Sequence, residues 1–200
     1  DWNEVSFPAP DHRHTALVVL FHGLEGSSNS HYAQSLMHAV TAAGWGGVVI
    51  NFRGCSGEPN RLPRAYHSGD SEEIDWILRR IKQHHPERPL YAAGVSLGGN
   101  ALLKWLGERE NTATSLVRAA AALSAPLDLT ACGHHLGHGF NRVYTRYFLR
   151  TLKPRSAKKL KRFPGLFDER RLNEATTLYE FDDAITAPLH GFVDADDYWR

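Results

Sequence analysis

The sequence predicts an α/β fold, a mainly parallel sheet flanked by helices and followed by a helical cap. Three observations carry this. Apolar runs recur at residues 16–21, 47–51, 90–95 and 117–123, each the length and character of a strand buried on both faces. Segments of helical period lie between them, so strand and helix alternate through short links, which implies right-handed crossovers and parallel pairing. After Pro126 no convincing buried strand follows, and the chain becomes rich in His, Arg, Lys and aromatics.

Taken in order, Asp1-Trp2-Asn3-Glu4 resembles the middle of an early strand. Residues 16–21 (Ala-Leu-Val-Val-Leu-Phe) form the first buried strand, and residues 22–30 a loop rich in glycine and serine. Tyr32, Leu36 and Val40 then recur every four residues, predicting a helix that runs to about Ala43 and stops at Gly44. The strand at 47–51 leads into a loop, Arg53 to Pro59. Residues 70–85 are the clearest helix: Asp70 and Glu73 make a capping-box-like start, Ile74, Ile77, Leu78 and Ile81 form the buried stripe, and Pro86 ends it. His84 and His85 complement its carboxyl end. The strand at 90–95 passes into a helix from Gly98, and the strand at 117–123 is closed by Ser124-Ala125-Pro126. This divides the chain into a core, residues 1–126, and a cap, residues 127–200.

The composition is balanced, with 42% hydrophobic and 22% charged residues and a net charge of +1. That balance argues against a nucleic-acid partner. Two cysteines, Cys55 and Cys132, are too few for a disulfide framework and read as packed rather than reactive, which suits a reducing, cytoplasmic setting. No apolar run reaches the roughly 18 residues of a membrane span.

The chemistry centres on Gly94-Val95-Ser96-Leu97-Gly98. A strand that ends in Gly-x-Ser-x-Gly and turns sharply into a helix raises its serine above the carboxyl edge of the sheet. Ser96 is therefore the candidate nucleophile of an acyl transfer. Such a nucleophile needs N–H donors for the oxyanion. The backbone N–H of Leu97 follows it directly, and the second donor is expected at Leu24, in the His22-Gly23-Leu24 loop after the first buried strand. His22, Gly23, Gly94 and Gly98 support that geometry, and Arg53 is expected on the rim of the pocket.

These stretches resemble the YheT-type α/β-hydrolases, bacterial relatives of the abhydrolase-domain esterases and lipases. The likeness rests on Phe21-His22-Gly23-Leu24-Glu25-Gly26-Ser27, Asn51-Phe52-Arg53-Gly54-Cys55-Ser56-Gly57, Gly94-Val95-Ser96-Leu97-Gly98-Gly99-Asn100 and Phe181-Asp182-Asp183-Ala184-Ile185-Thr186-Ala187. His190-Gly191-Phe192 and Asp197-Tyr198 extend it. The resemblance implies hydrolysis of small carboxylic esters of short or medium acyl chains, with Ser96 as nucleophile and no cofactor. Thioesterase, lipase or acyltransferase chemistry on the same scaffold, and a non-enzymatic interaction protein with a vestigial triad, are the alternatives.

In that family the triad acid and histidine follow two further strands. Neither is matched in residues 1–200, so both, with the remaining core strands and helices, are expected beyond Arg200. The strand at 117–123 would then be a bare edge favouring self-association. A substitute triad of Ser96, His190 and Asp194 is disfavoured because His190 and Asp194 are predicted to share one helix. His134 and His138 have the i, i+4 spacing of a metal pair, but Gly133, Gly137 and Gly139 argue for a solvated, pocket-lining loop and no metal. Lys153, Arg155, Lys158, Lys159, Lys161 and Arg162 read as the solvated face of a lid, with weak contact to an anionic membrane surface as the alternative.

Overall fold

The computed structural model describes residues 2–5 and 14–200. The chain divides into two compact units, one made of residues up to 59 with 66–125, the other of residues 60–65 with 126–200.

The first unit is a five-stranded sheet in the order β1-β3-β2-β4-β5. Its strands are β1 (Trp2–Val5), β2 (Leu17–Phe21), β3 (Gly46–Ile50), β4 (Leu90–Val95) and β5 (Ala119–Leu123). β1 pairs antiparallel to β3, and the other pairings are parallel. Its helices are α1 (His31–Ala42), α2 (Ser71–His84) and α3 (Leu97–Arg109).

The unbroken apolar run of β2 has a direct cause in packing. Successive side chains on a strand point to opposite faces. Leu17, Val19 and Phe21 enter one core with Ile74 and Leu78 of α2 and Leu102 and Trp105 of α3. Val18 and Leu20 enter another with Ala33, Met37 and Val40 of α1. Burying each such aliphatic side chain contributes about 1.5–3 kcal/mol, so polar substitution on either face of β2 would be costly. The α1 stripe is Ala33, Met37 and Val40, offset from the expected Tyr32, Leu36 and Val40. Tyr32 stays 39% exposed, because its hydroxyl is used in the loop before α1.

The capped start of α2 is present: the Asp70 side chain accepts from the Glu73 N–H at 3.4 Å. Glu73 also accepts from Arg53 Nε at 2.8 Å, which ties the loop after β3 to this helix. β5 lies at the edge of the described sheet, and all five of its residues are exposed.

The second unit contains helices only, with no strand among its described residues. They are α4 (Leu129–Leu136), α5 (Arg142–Arg162), α6 (Glu169–Glu174), α7 (Leu178–Phe181), α8 (Ala187–His190) and α9 (Ala195–Trp199), with a π-helical turn, Asp182–Thr186, between α7 and α8. Leu149, Leu172, Phe181 and Ile185 lie in its small core. Residues 60–65 belong here because Lys159 Nζ donates to the Pro63 carbonyl at 2.7 Å and Arg162 to that of Asn60 at 3.2 Å. The basic stretch is thus no uniform solvated face, since Lys153 also donates to the carbonyls of Asn173 and Ala175.

Two further expectations are corrected. His134 lies in a helix, α4, that includes Gly133, whereas Gly137 caps that helix and His138 lies beyond it. A Cβ at Gly133 would come within 2.2 Å of the Trp199 ring, so this glycine admits the indole against α4 instead of breaking the helix. His190 and Asp194 do not share a helix: Gly191, at φ +81°, ends α8, and Asp194 caps α9 by accepting from the Asp197 N–H. The described residues hold no cluster of three or more His, Cys, Asp or Glu able to bind a metal, and none of their helices is long and apolar enough to cross a membrane.

Candidate active site

Ser96 stands between the last residue of β4 and the first of α3, with φ 51° and ψ −119°. A side chain in this region costs about 1–3 kcal/mol and persists only where its surroundings over-determine it. Here they do. The Ser96 N–H donates to the Leu123 carbonyl of β5 at 2.9 Å, and its own carbonyl accepts from Asn100 N–H at 2.9 Å.

The two glycines of the motif are required by backbone on either side. A Cβ at Gly94 would lie 2.6 Å from the Gly98 carbonyl oxygen and from the Gly99 Cα. One at Gly98 would lie 2.5 Å from the carbonyl oxygens of Phe21 and His22. The first turn of α3 therefore sits directly on the ends of β4 and β2, which aims its unpaired N–H groups at the space above the sheet.

The loop after β2 approaches the same point. A Cβ at Gly23 would lie 3.2 Å from the Ser96 Cβ and 3.8 Å from its Oγ. His22 is fully buried and holds this loop instead of facing solvent. The Phe52 N–H donates to its Nε2 at 3.1 Å, which leaves the Nδ1–H to donate to the Gly23 carbonyl at 2.7 Å. Both ring nitrogens of the neutral tautomer are thereby used.

The Leu24 amide lies between two anchored neighbours. The Gly23 N–H donates to the Tyr32 hydroxyl at 2.9 Å, and the Glu25 N–H to the Tyr66 hydroxyl at 2.9 Å. Tyr66 in turn donates to the Glu25 carboxylate at 3.0 Å, and Glu25 sits at φ 59°. The Tyr66 ring stacks on Phe52, nearly parallel at 5.3 Å. Burial first, then the neighbouring Cys55 and Glu25, hold the Tyr66 phenol well above its ordinary value, so it remains a donor at any physiological pH. The Leu97 side chain belongs to the larger core cluster, and the partly buried Leu24 side chain packs against that same cluster. Tyr66 was not singled out from the sequence, and Tyr32 and Glu25 were not read as anchors of this loop. A tyrosine inside a polar loop is the one signal that could have drawn notice.

Arg53 Nε pairs with Glu73, which fixes its position by a structural ion pair. Cys55 is buried in the core, and burial, with help from Asp128, raises the Cys132 thiol, against reactivity at either. In the second unit, Asp182 accepts from Thr186 Oγ1 at 2.5 Å and from the Trp199 indole at 2.9 Å. Burial pushes its carboxyl up to about 6, outweighing these two hydrogen bonds, which favour the charged form.

Residues 16–194 match the α/β-hydrolase fold family. The chain is 47% identical over 94% of its length to YheT of Escherichia coli K12, a protein whose name carries the word esterase, and covers 55% of that protein. It is 33% identical over 91% of its length to phospholipase ABHD3 of Mus musculus, covering 44% of it. It thus spans about half the length of the curated relatives it matches. The structure of Est1E from Butyrivibrio proteoclasticus, bound to ferulic acid, superposes with a TM-score of 0.55 at 16% identity, over 70% of this chain and 56% of that one, a likeness of fold. With the alternating strands and helices, the parallel sheet and the strained strand-to-helix serine, these matches show that the chain belongs to the α/β-hydrolase fold family, as a member of the YheT type.

Proposed function

We propose that this chain carries the nucleophile and oxyanion elements of a serine hydrolase acting on carboxylic esters of short or medium acyl chains. The observation that carries the reading is the Ser96 backbone, held at a costly φ and ψ between two glycines that tolerate no Cβ. Relatives named as esterase and phospholipase support the ester class.

In this reading Ser96 Oγ attacks the ester carbonyl carbon as its proton passes to a histidine base. The carbonyl electron pair moves onto oxygen, which accepts from the Leu24 and Leu97 N–H groups. That charge exists only in the tetrahedral state, so fixed donors lower the barrier rather than merely binding substrate. Collapse breaks the bond to the alkoxide, which takes the proton back from the base. Water then repeats the sequence on the acyl-serine and frees the acid. The base and its orienting carboxylate lie outside residues 1–200 in this proposal, and Asp194, already capping α9, is not the acid.

The test is the intact mass of the purified full-length protein before and after a fluorophosphonate probe. One probe per chain, absent in Ser96→Ala, is the expected result. No labelling of a folded, full-length protein would leave the non-enzymatic reading standing.

A further inference from the structure

We propose that the second unit contains an anion site built to take a phosphate group, on the side of α5 that carries Arg142, Arg146 and Arg150. These arginines recur every four residues, and Lys153 follows three later, so all four lie along one side of the helix. They line a cavity of about 370 Å³ with Leu149 and Thr176, at the small end of ligand-sized sites of about 300–1,000 Å³.

The cations divide into two roles. Lys153 is committed to the wall, its Nζ donating to the Asn173 and Ala175 carbonyls at 2.7 and 3.0 Å. None of the three arginines is paired with an acid among the described residues, although α6, α7 and the π-helical turn of the same unit carry acids. Those acids are engaged: Glu174 by Arg170, Asp183 by Arg171, and Glu180 by the Thr176 and Thr177 N–H groups. The Thr176 Oγ1 also donates to Glu180 at 2.9 Å, which keeps that carboxylate on the threonine.

Three guanidinium groups along one wall repel one another until an anion joins them. A carboxylate carries one charge and two oxygens, which a single arginine fork satisfies. A phosphate group offers up to two charges and three oxygens, and so can engage forks from more than one arginine at once. The charge and donor count therefore favour phosphate, whether on a soluble ester or in a phospholipid headgroup. The site makes no use of Ser96 and stands apart from the esterase reading.

The experiment is calorimetric titration of the full-length protein with inorganic phosphate at low ionic strength, with acetate as the single-charge control. Saturable phosphate binding is expected, at least about tenfold weaker in R146E/R150E. R146Q/R150Q serves as the milder variant should charge reversal disturb folding. K158E/K161E, which reverses two exposed cations elsewhere on α5, should bind within about twofold of the parent, and Ser96→Ala should bind as the parent does. Absence of saturable phosphate binding, equal loss in K158E/K161E, or acetate binding as tight as phosphate would overturn the proposal. Vesicles of phosphatidylglycerol separate the two sources. Vesicle binding displaced by inorganic phosphate assigns the site to a headgroup, and phosphate binding without vesicle binding assigns it to a soluble phosphate ester.

Discussion

Adjacent parallel strands β4 and β5 are each followed by a serine of positive φ, Ser96 at 51° and Ser124 at 49°, yet only one is enclosed. Ser96 opens a helix of thirteen residues, is approached by the loop after β2, and sits between glycines that backbone atoms press from both sides. Ser124 follows an exposed strand and runs into Ala125-Pro126. Positive φ is thus the lesser part of an elbow. What sets Ser96 apart is that backbone packs tightly against the glycines on both sides of it, and that its own N–H and carbonyl are hydrogen-bonded.

The comparison can be broken most forcefully at Gly98. Gly98→Ala should destabilise the protein by about 3 kcal/mol or more in urea unfolding, since the added Cβ meets two carbonyl oxygens at 2.5 Å. An effect under about 1 kcal/mol would show that α3 can slide, and that the enclosure is loose. Tyr66→Phe removes both hydrogen bonds to Glu25 and should cost about 1–2 kcal/mol. It should also slow fluorophosphonate labelling of Ser96 severalfold in the full-length protein, and unchanged labelling would detach the Leu24 loop from the chemistry. Replacing the serines sharpens the contrast further. Ser96→Gly should abolish labelling while raising stability by about 1 kcal/mol, as strain is relieved at the expense of function. Ser124→Gly should change stability by no more than about 0.5 kcal/mol and leave labelling intact. Equal gains from both would mean that the two serines are strained alike.

Much of this fold was legible because its strands are buried on both faces and so read as unbroken apolar runs. β4 spans the expected residues 90–95, and α2 lies within one residue of its expected ends. The helix phase of α1 was misread because Tyr32 is amphipathic: its ring suggested the core, while its hydroxyl serves Gly23. Gly133 was read by its low helix propensity, whereas its meaning lies in Trp199, sixty-six residues away. The same holds at the site. Gly-x-Ser-x-Gly is a local signal, since the strain and its two glycines are neighbours in sequence. Tyr66 acts on Glu25 across forty-one residues, and no local pattern announces such a contact. The arginine row of α5 was visible as composition, but its lack of acid partners became apparent only from where Glu174, Glu180 and Asp183 direct their carboxylates.

The five residues of β5 are Ala-Ala-Ala-Ala-Leu, and β4 occupies only one of its sides. A strand docking on the other side would find backbone donors and acceptors but nearly identical side chains at four successive steps. Register is chosen by side-chain fit, because a shift of one residue exchanges the two faces. Against four alanines that shift costs little on the β5 side. Any strand that settles here must bring its own alignment, through its side chains on the helices or the turn that delivers it.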